Sequence, residues 1–259
     1  MLALILAATV TATPSYNLSD MPGYVQYLQS HPGQMTALSA ATNMTIGCLV
    51  GGIGGKINGG SFFEGCGWGA LGGEVVWAGK MSASEAGYYN GLGAVGKVLG
   101  DFGNSITLAA ENNQRIDHVS TSIGPVEFDI GASVRVYFSL VSAVGLLYDS
   151  TKGKLDWKHS LYNLTPIFQA DTFVAADAYG MTIGNAIRYY PLPAATPTAN
   201  TISHEMVHVV QFSQTFLANN LTLGPWRYGQ DALWGLSALT ELNYNRSPFE
   251  IEAYGLANH

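Results

Sequence analysis

The stretch TISHEMVHVVQ, residues 201–211, carries His204, Glu205 and His208 in the order H-E-x-x-H. On a helix, residues four apart share a face, so both imidazoles would converge on one point with a spacing suited to a single tetrahedral Zn²⁺. Glu205, next to the first histidine, would then reach a metal-bound water without binding the ion. That arrangement suits metal-assisted hydrolysis: the ion lowers the pKa of water, the carboxylate takes its proton, and the ion polarises the attacked carbonyl. Burying three such groups on a mostly apolar helix without a metal or dense hydrogen bonding is costly, so a purely structural role is the weaker reading.

A catalytic zinc takes three protein ligands and keeps one position open. His31, His118, His159 and His259 make no second close motif. The residues after His208, VVQFSQ, exclude the extension H-E-x-x-H-x-x-G-x-x-H. The best remaining donor is Glu250 of RSPFEIEAY, which leaves room for a second helix to turn and pack on the first. Glu250 also fits a capping box, S-x-x-E from Ser247, in which it would fold back onto the Ser247 amide. Glu252 is an alternative ligand, but two helical positions on it points about 200° away, so only one of the pair can face the metal. Asp231, Glu241 and His259 complete the candidates.

HEMVHVVQ followed by SPFEIEAYGLAN resembles the zincin metallopeptidases whose third ligand is a glutamate on a downstream helix, the gluzincin group. It resembles especially the compact H-E-x-x-H-x-x-Q domains of bacterial secreted and toxin-associated proteins. The glycine-rich tract before it, with AYGMTIGNAI, is similar to the region beyond the repeat core of RHS-type polymorphic toxin proteins. The resemblance implies His204, His208 and Glu250 as zinc ligands, Glu205 as general base, and a peptide or protein substrate. It also implies that a strand such as MTIGNAIRY runs beside the cleft and pairs with an extended peptide. Many members carry an Asp four residues after the ligand glutamate, where this chain has Tyr254. Tyr254 would donate a hydrogen bond to a ligand or to the reacting oxygen, but it supplies no orienting carboxylate.

These residues need elements to position them. Residues 201–218 read as a helix buried on several sides, capped by Asn200 or Thr201, with Ile202, Met206, Val207, Val209, Val210, Phe212 and Phe216 around its circumference. A second helix is predicted near SPFEIEAYGLA, with LPAATPTAN before the first helix read as a loop. From about Ser120 the pattern has period two. PVEFDIG and SVRVYFSLV read as strands with Val126, Phe128 and Ile130 on one side and Glu127 and Asp129 on the other. VGLLYDSTKGKLDW reads as a strand hairpin with Thr151 to Lys154 at its tip, and FVAADAYGMTIGNAIRYYP as a further strand.

The N-terminal part is different. Eighteen of the 31 glycines lie between Gly47 and Gly100. Gly47, Gly51, Gly55 and Gly59 recur every four residues, as do Gly65, Gly69 and Gly73, so each set forms a shallow stripe against which another backbone packs closely. A hairpin of two helices of about 14 residues, roughly 21 Å each, is predicted near residues 45–80. The expected fold is α+β: residues 1–115 a glycine-zipper helical region, residues 116–259 a zincin-like domain of twisted sheet plus active-site helix.

Composition narrows the function further. The chain has 259 residues, 47 % of them hydrophobic and only 11 % charged, which implies that part of its surface does not face water. A net charge of −7 with no cluster of Lys or Arg argues against nucleic acid as a partner. Membrane contact or self-association through the glycine-rich hairpin is the other partner expectation. A membrane-active or assembly module, with the histidine helix structural or a non-catalytic metal site, is the alternative function. The apolar run Leu2 to Val10 has the pattern of a secretory signal but no preceding Lys or Arg, and a core helix or the cut end of a longer chain is the favoured reading. A secreted or cell-surface setting is the expectation that follows from the resemblance.

Overall fold

The structure is a computed structural model that describes residues 27, 31–172, 179–192, 195–214, 222–223, 226–227 and 248–257. It combines helices and sheet, as expected of an α+β chain. Among the described residues, three long helices lead: α1 (Pro32–Ile57), α2 (Phe62–Ala83) and α3 (Leu92–Glu111). Glycine decides how they meet. A methyl added at Gly47 would overlap the Gly69 carbonyl, and one at Gly51 the Gly65 carbonyl, so α1 and α2 touch backbone to backbone. The opposite side of α2 repeats the device against α3, where Gly72 and Gly79 meet Gly103 and Gly96. A Cys48–Cys66 disulfide fastens α1 to α2.

The predicted two-helix hairpin is therefore the first part of a three-helix layer, and its helices are longer than the glycine stripes imply. The α1 helix has 26 residues and starts at Pro32, because the Ala, Leu, Met and Gln residues before the stripe are good helix formers and proline suits a first position. It spans roughly 39 Å at 1.5 Å per residue rather than about 21 Å.

A five-stranded sheet follows, built from β1 (Val119–Ile123), β2 (Val126–Ile130), β3 (Val134–Phe138), β8 (Thr222–Leu223) and β9 (Trp226–Arg227), in the order β1-β2-β3-β9-β8. The β1–β2 turn uses Gly124 at φ +56. The predicted alternation is present, with its burial reversed. Glu127 and Asp129 are buried, whereas Ile130 is exposed. The cause is the partner surface. The α3 helix offers Lys97, Asp101, Asn104 and Ser105, and the Ser105 hydroxyl accepts from the Ser120 amide at 3.2 Å.

The segment read as a strand hairpin around Thr151 is mostly helix α4 (Leu140–Lys152), followed by the short β4 (Gly153–Leu155). Ser139 caps it by accepting from the Ser142 amide, and its buried positions are Ser142, Gly145 and Asp149. A face of small and polar residues gives no apolar helical pattern to read. The short α5 (Trp157–Asn163) leads into β5 (Ile167–Ala170). The single strand expected before Pro191 is a hairpin, β6 (Gly180–Ile183) and β7 (Ala186–Tyr189), turning at Gly184 with φ +59. The second sheet has the order β4-β5-β7-β6, so β6 is an edge.

The histidine helix, α6 (Ala195–Ser213), starts within the predicted loop. Pro197 falls in its first turn, where no intrahelical N–H is lost, and the Thr198 hydroxyl ties the turn to Leu192. The last helix is α7 (Pro248–Ala257). The core joins the parts: Ile202, Met206, Val207, Val209 and Val210 of α6 pack with Val76 of α2, Ile167 and Ile187 of the second sheet, and Ala253 and Leu256 of α7.

Candidate metal centre

The α6 helix places His204 and His208 one turn apart on its face toward α7, and α7 brings Glu250 between them. The Glu250 carboxylate lies 3.2 Å from His204 Nε2 through one oxygen and 3.2 Å from His208 Nε2 through the other. The two Nε2 atoms are 3.1 Å apart. Tetrahedral metal bonds of about 2.0–2.1 Å put donor atoms roughly 3.3 Å from one another, so this donor triangle has the dimensions of a small divalent ion's coordination edge. All three residues are buried, and together they form a group that could hold a metal ion.

The geometry discriminates among the acids. Both Glu250 oxygens face imidazoles, as a ligand's would. Ser247, the other end of the capping-box reading, lies outside the described residues, as do Asp231, Glu241 and His259. Glu252 points elsewhere, to Lys80, Ser39 and Asn43. Of the other histidines, His118 pairs with Asp117 and His159 with Asp156, so neither belongs to this site.

Electrostatics follow from this crowding. Burial alone would raise the Glu250 carboxyl, but hydrogen bonds and charge from both imidazoles outweigh it and hold the group well below the ordinary carboxylate range. Burial likewise opposes charge on His208, yet Glu250 and Glu205 overcome it and lift the imidazole to about 9. Glu250 thus favours a cationic partner at this point.

Glu205 is buried at 4 % exposure and faces β6. Its Oε2 accepts from the Thr182 hydroxyl at 2.6 Å, and a methyl added at Gly180 would overlap its Oε1. Burial raises its carboxyl, against the two imidazoles and Thr182, which pull it down. Beside the two imidazoles, the buried Glu205 carboxyl therefore holds a proton more readily than an ordinary glutamate does. Tyr254 lays its ring against His204, with centroids 4.4 Å apart at 53°.

Four further residues shape this neighbourhood, and only Gln211, the Q of H-E-x-x-H-x-x-Q, falls within the motif. Thr182 and Gly180 shape the place of Glu205, and Gln211 and Lys80 lie behind His208 and Glu252. Gln211 could have been found as the polar residue one turn beyond the second histidine on an otherwise apolar helix. Lys80 had a weaker signal, as the one lysine in the uncharged second half of α2 after Glu74.

No protein-family model matches the chain, and no curated protein and no solved structure matches it either.

Proposed function

We propose that the chain is a zinc-dependent peptidase of the zincin type with a gluzincin ligand set. One observation carries the reading: Glu250, distant in sequence, brings both carboxylate oxygens to within 3.2 Å of the Nε2 atoms of the H-E-x-x-H pair. Two imidazoles and a carboxylate are a donor set that zinc favours in hydrolytic sites. His204, His208 and Glu250 would hold the ion, which when bound supplies Lewis acidity to a water and to the attacked carbonyl.

The chain's own groups supply the rest. Glu205 takes the proton of the attacking water and passes it to the leaving amine, with Thr182 holding the carboxylate in place. Tyr254, against His204, is the proposed donor to the oxygen that gains charge. The strand β6, next to Glu205, pairs with β7 alone among the described residues, so it is placed to take an extended peptide as a further strand, which fits a peptide or protein as substrate. The Cys48–Cys66 disulfide fits an oxidising, extracytoplasmic setting.

Glu205→Gln is the direct test. Zinc content should stay at the wild-type level, while cleavage of a peptide library falls by about 10²-fold or more. Cleavage at the wild-type rate would remove Glu205 from the mechanism. A second reading, membrane activity of the helical layer, has its own observation: Gly33–Ile57 is long and apolar enough to cross a membrane by length and composition. Leakage of vesicles by both wild type and Glu205→Gln, with no peptide cleavage by either, would favour it.

A further inference from the structure

We infer that Gln211 and the Glu252–Lys80 pair form a positioning relay that presents Nε2 of His208 to the metal, with the glycine-faced helices supplying its far end. The inference rests on the metal-centre reading above. His208 Nδ1 lies 2.7 Å from Gln211 Oε1. The other end of that amide leaves one consistent orientation: Gln211 Nε2 donates to the Phe249 carbonyl at 3.0 Å and to Glu252 Oε2 at 2.9 Å, both of which only accept. Turning the amide over would set an oxygen against two acceptors. Oε1 must therefore face His208, and Nδ1 must carry the proton that it receives. In a neutral ring, that leaves the Nε2 lone pair free for the metal.

Glu252 is held just as fully. Its Oε2 also accepts from Lys80 at 2.6 Å, and its Oε1 accepts from Ser39 and from Asn43 at 3.0 Å. Asn43 is fixed in turn, because its Oδ1 accepts from Lys80 at 3.1 Å and from Gln214 at 2.6 Å. The relay thus runs from the ligand imidazole through an amide and a carboxylate to an ammonium on α2 and polar groups on α1. A buried ion pair is weak evidence for stability, since apolar residues of like volume often serve as well. Its connection to a ligand imidazole is a better reason for its presence. The Gln211–Phe249 bond also pins the residue that precedes Glu250, so one amide positions two of the three donors. An orienting carboxylate is thus present despite Tyr254, reached from Glu252 through Gln211.

The test uses the full chain, zinc as the probe, and two readouts. Gln211→Met keeps length and burial but offers Nδ1 only a thioether, a weak acceptor. It should raise the zinc Kd by about 10- to 100-fold. The slowly exchanging Nδ1 proton of His208, visible by ¹⁵N-edited NMR in the metal-free wild type, should vanish. Glu252→Gln, which keeps shape and removes charge, should weaken zinc by a smaller factor with an unchanged circular dichroism spectrum, and it carries the test if Gln211→Met does not fold. Wild-type zinc affinity in the variant that folds would overturn the relay, as would a freely exchanging Nδ1 proton in wild type. A wild-type chain that takes up no zinc would instead overturn the metal-centre reading, since the Nδ1 proton is observed without metal.

Discussion

The two sides of the helical layer are built on opposite principles. Where α1 meets α2, the contact is backbone on backbone: Gly47, Gly51, Gly65 and Gly69 bring carbonyls to distances that no Cβ would permit. Where α3 meets the first sheet, the contact is made by charge, with the buried Lys97 set beside the buried Asp101 and Glu127. The first interface is specified by shape and tolerates no added atom. The second is specified by pairing and responds to pH. The candidate metal centre belongs with the second kind, since its partners are also buried acids, amides and cations.

The largest effect is expected from Gly69→Val. Its side chain would meet the Gly47 backbone, which cannot rotate away, so the loss should be on the order of 3 kcal/mol or more. Urea unfolding checks this, and a variant as stable as wild type would break the shape side of the comparison. A smaller, pH-dependent effect is expected from Lys97→Met. Burial holds Asp101 up at about 6 against the pull of Lys97, and holds Lys97 down at about 8 against Asp101 and Glu127. Between the ordinary 3.8 of Asp101 and about 6, the folded chain binds more protons than the unfolded one, so this group makes stability fall as pH rises. Between about 8 and the ordinary 10.5 of Lys97, the unfolded chain binds more, and stability rises with pH. Lys97→Met should abolish the upper limb and move the lower one to higher pH. Urea midpoints across that range check it, and parallel curves for the two chains would break the charge side.

How much of this is legible in the sequence depends on how local the cause is. His204, Glu205 and His208 are legible because their geometry is set within one helix. Glu250 is legible only as one acid among several, since its role depends on how α7 docks on α6. The roles of Gln211, Lys80, Asn43 and Ser39 are not, because they become partners only once α1, α2, α6 and α7 have packed. The glycine stripes announce close contact, yet α3 extends the layer through Gly96 and Gly103 at mixed spacing. Alternation in β2 is legible, but its buried side is not, because the polar face of α3 reverses the usual preference. Helix α4 is hidden for a related reason: its buried residues Ser142, Gly145 and Asp149 carry no apolar signal.

The most direct measurement is metal content. Wild type, His204→Ala and Glu250→Ala are purified side by side, dialysed against zinc and analysed by mass spectrometry of the intact chain and by elemental analysis. One tightly held zinc per wild-type chain is expected, with loss in both variants and a retained fold. No zinc in wild type, or undiminished zinc in Glu250→Ala, would contradict a centre built from His204, His208 and Glu250.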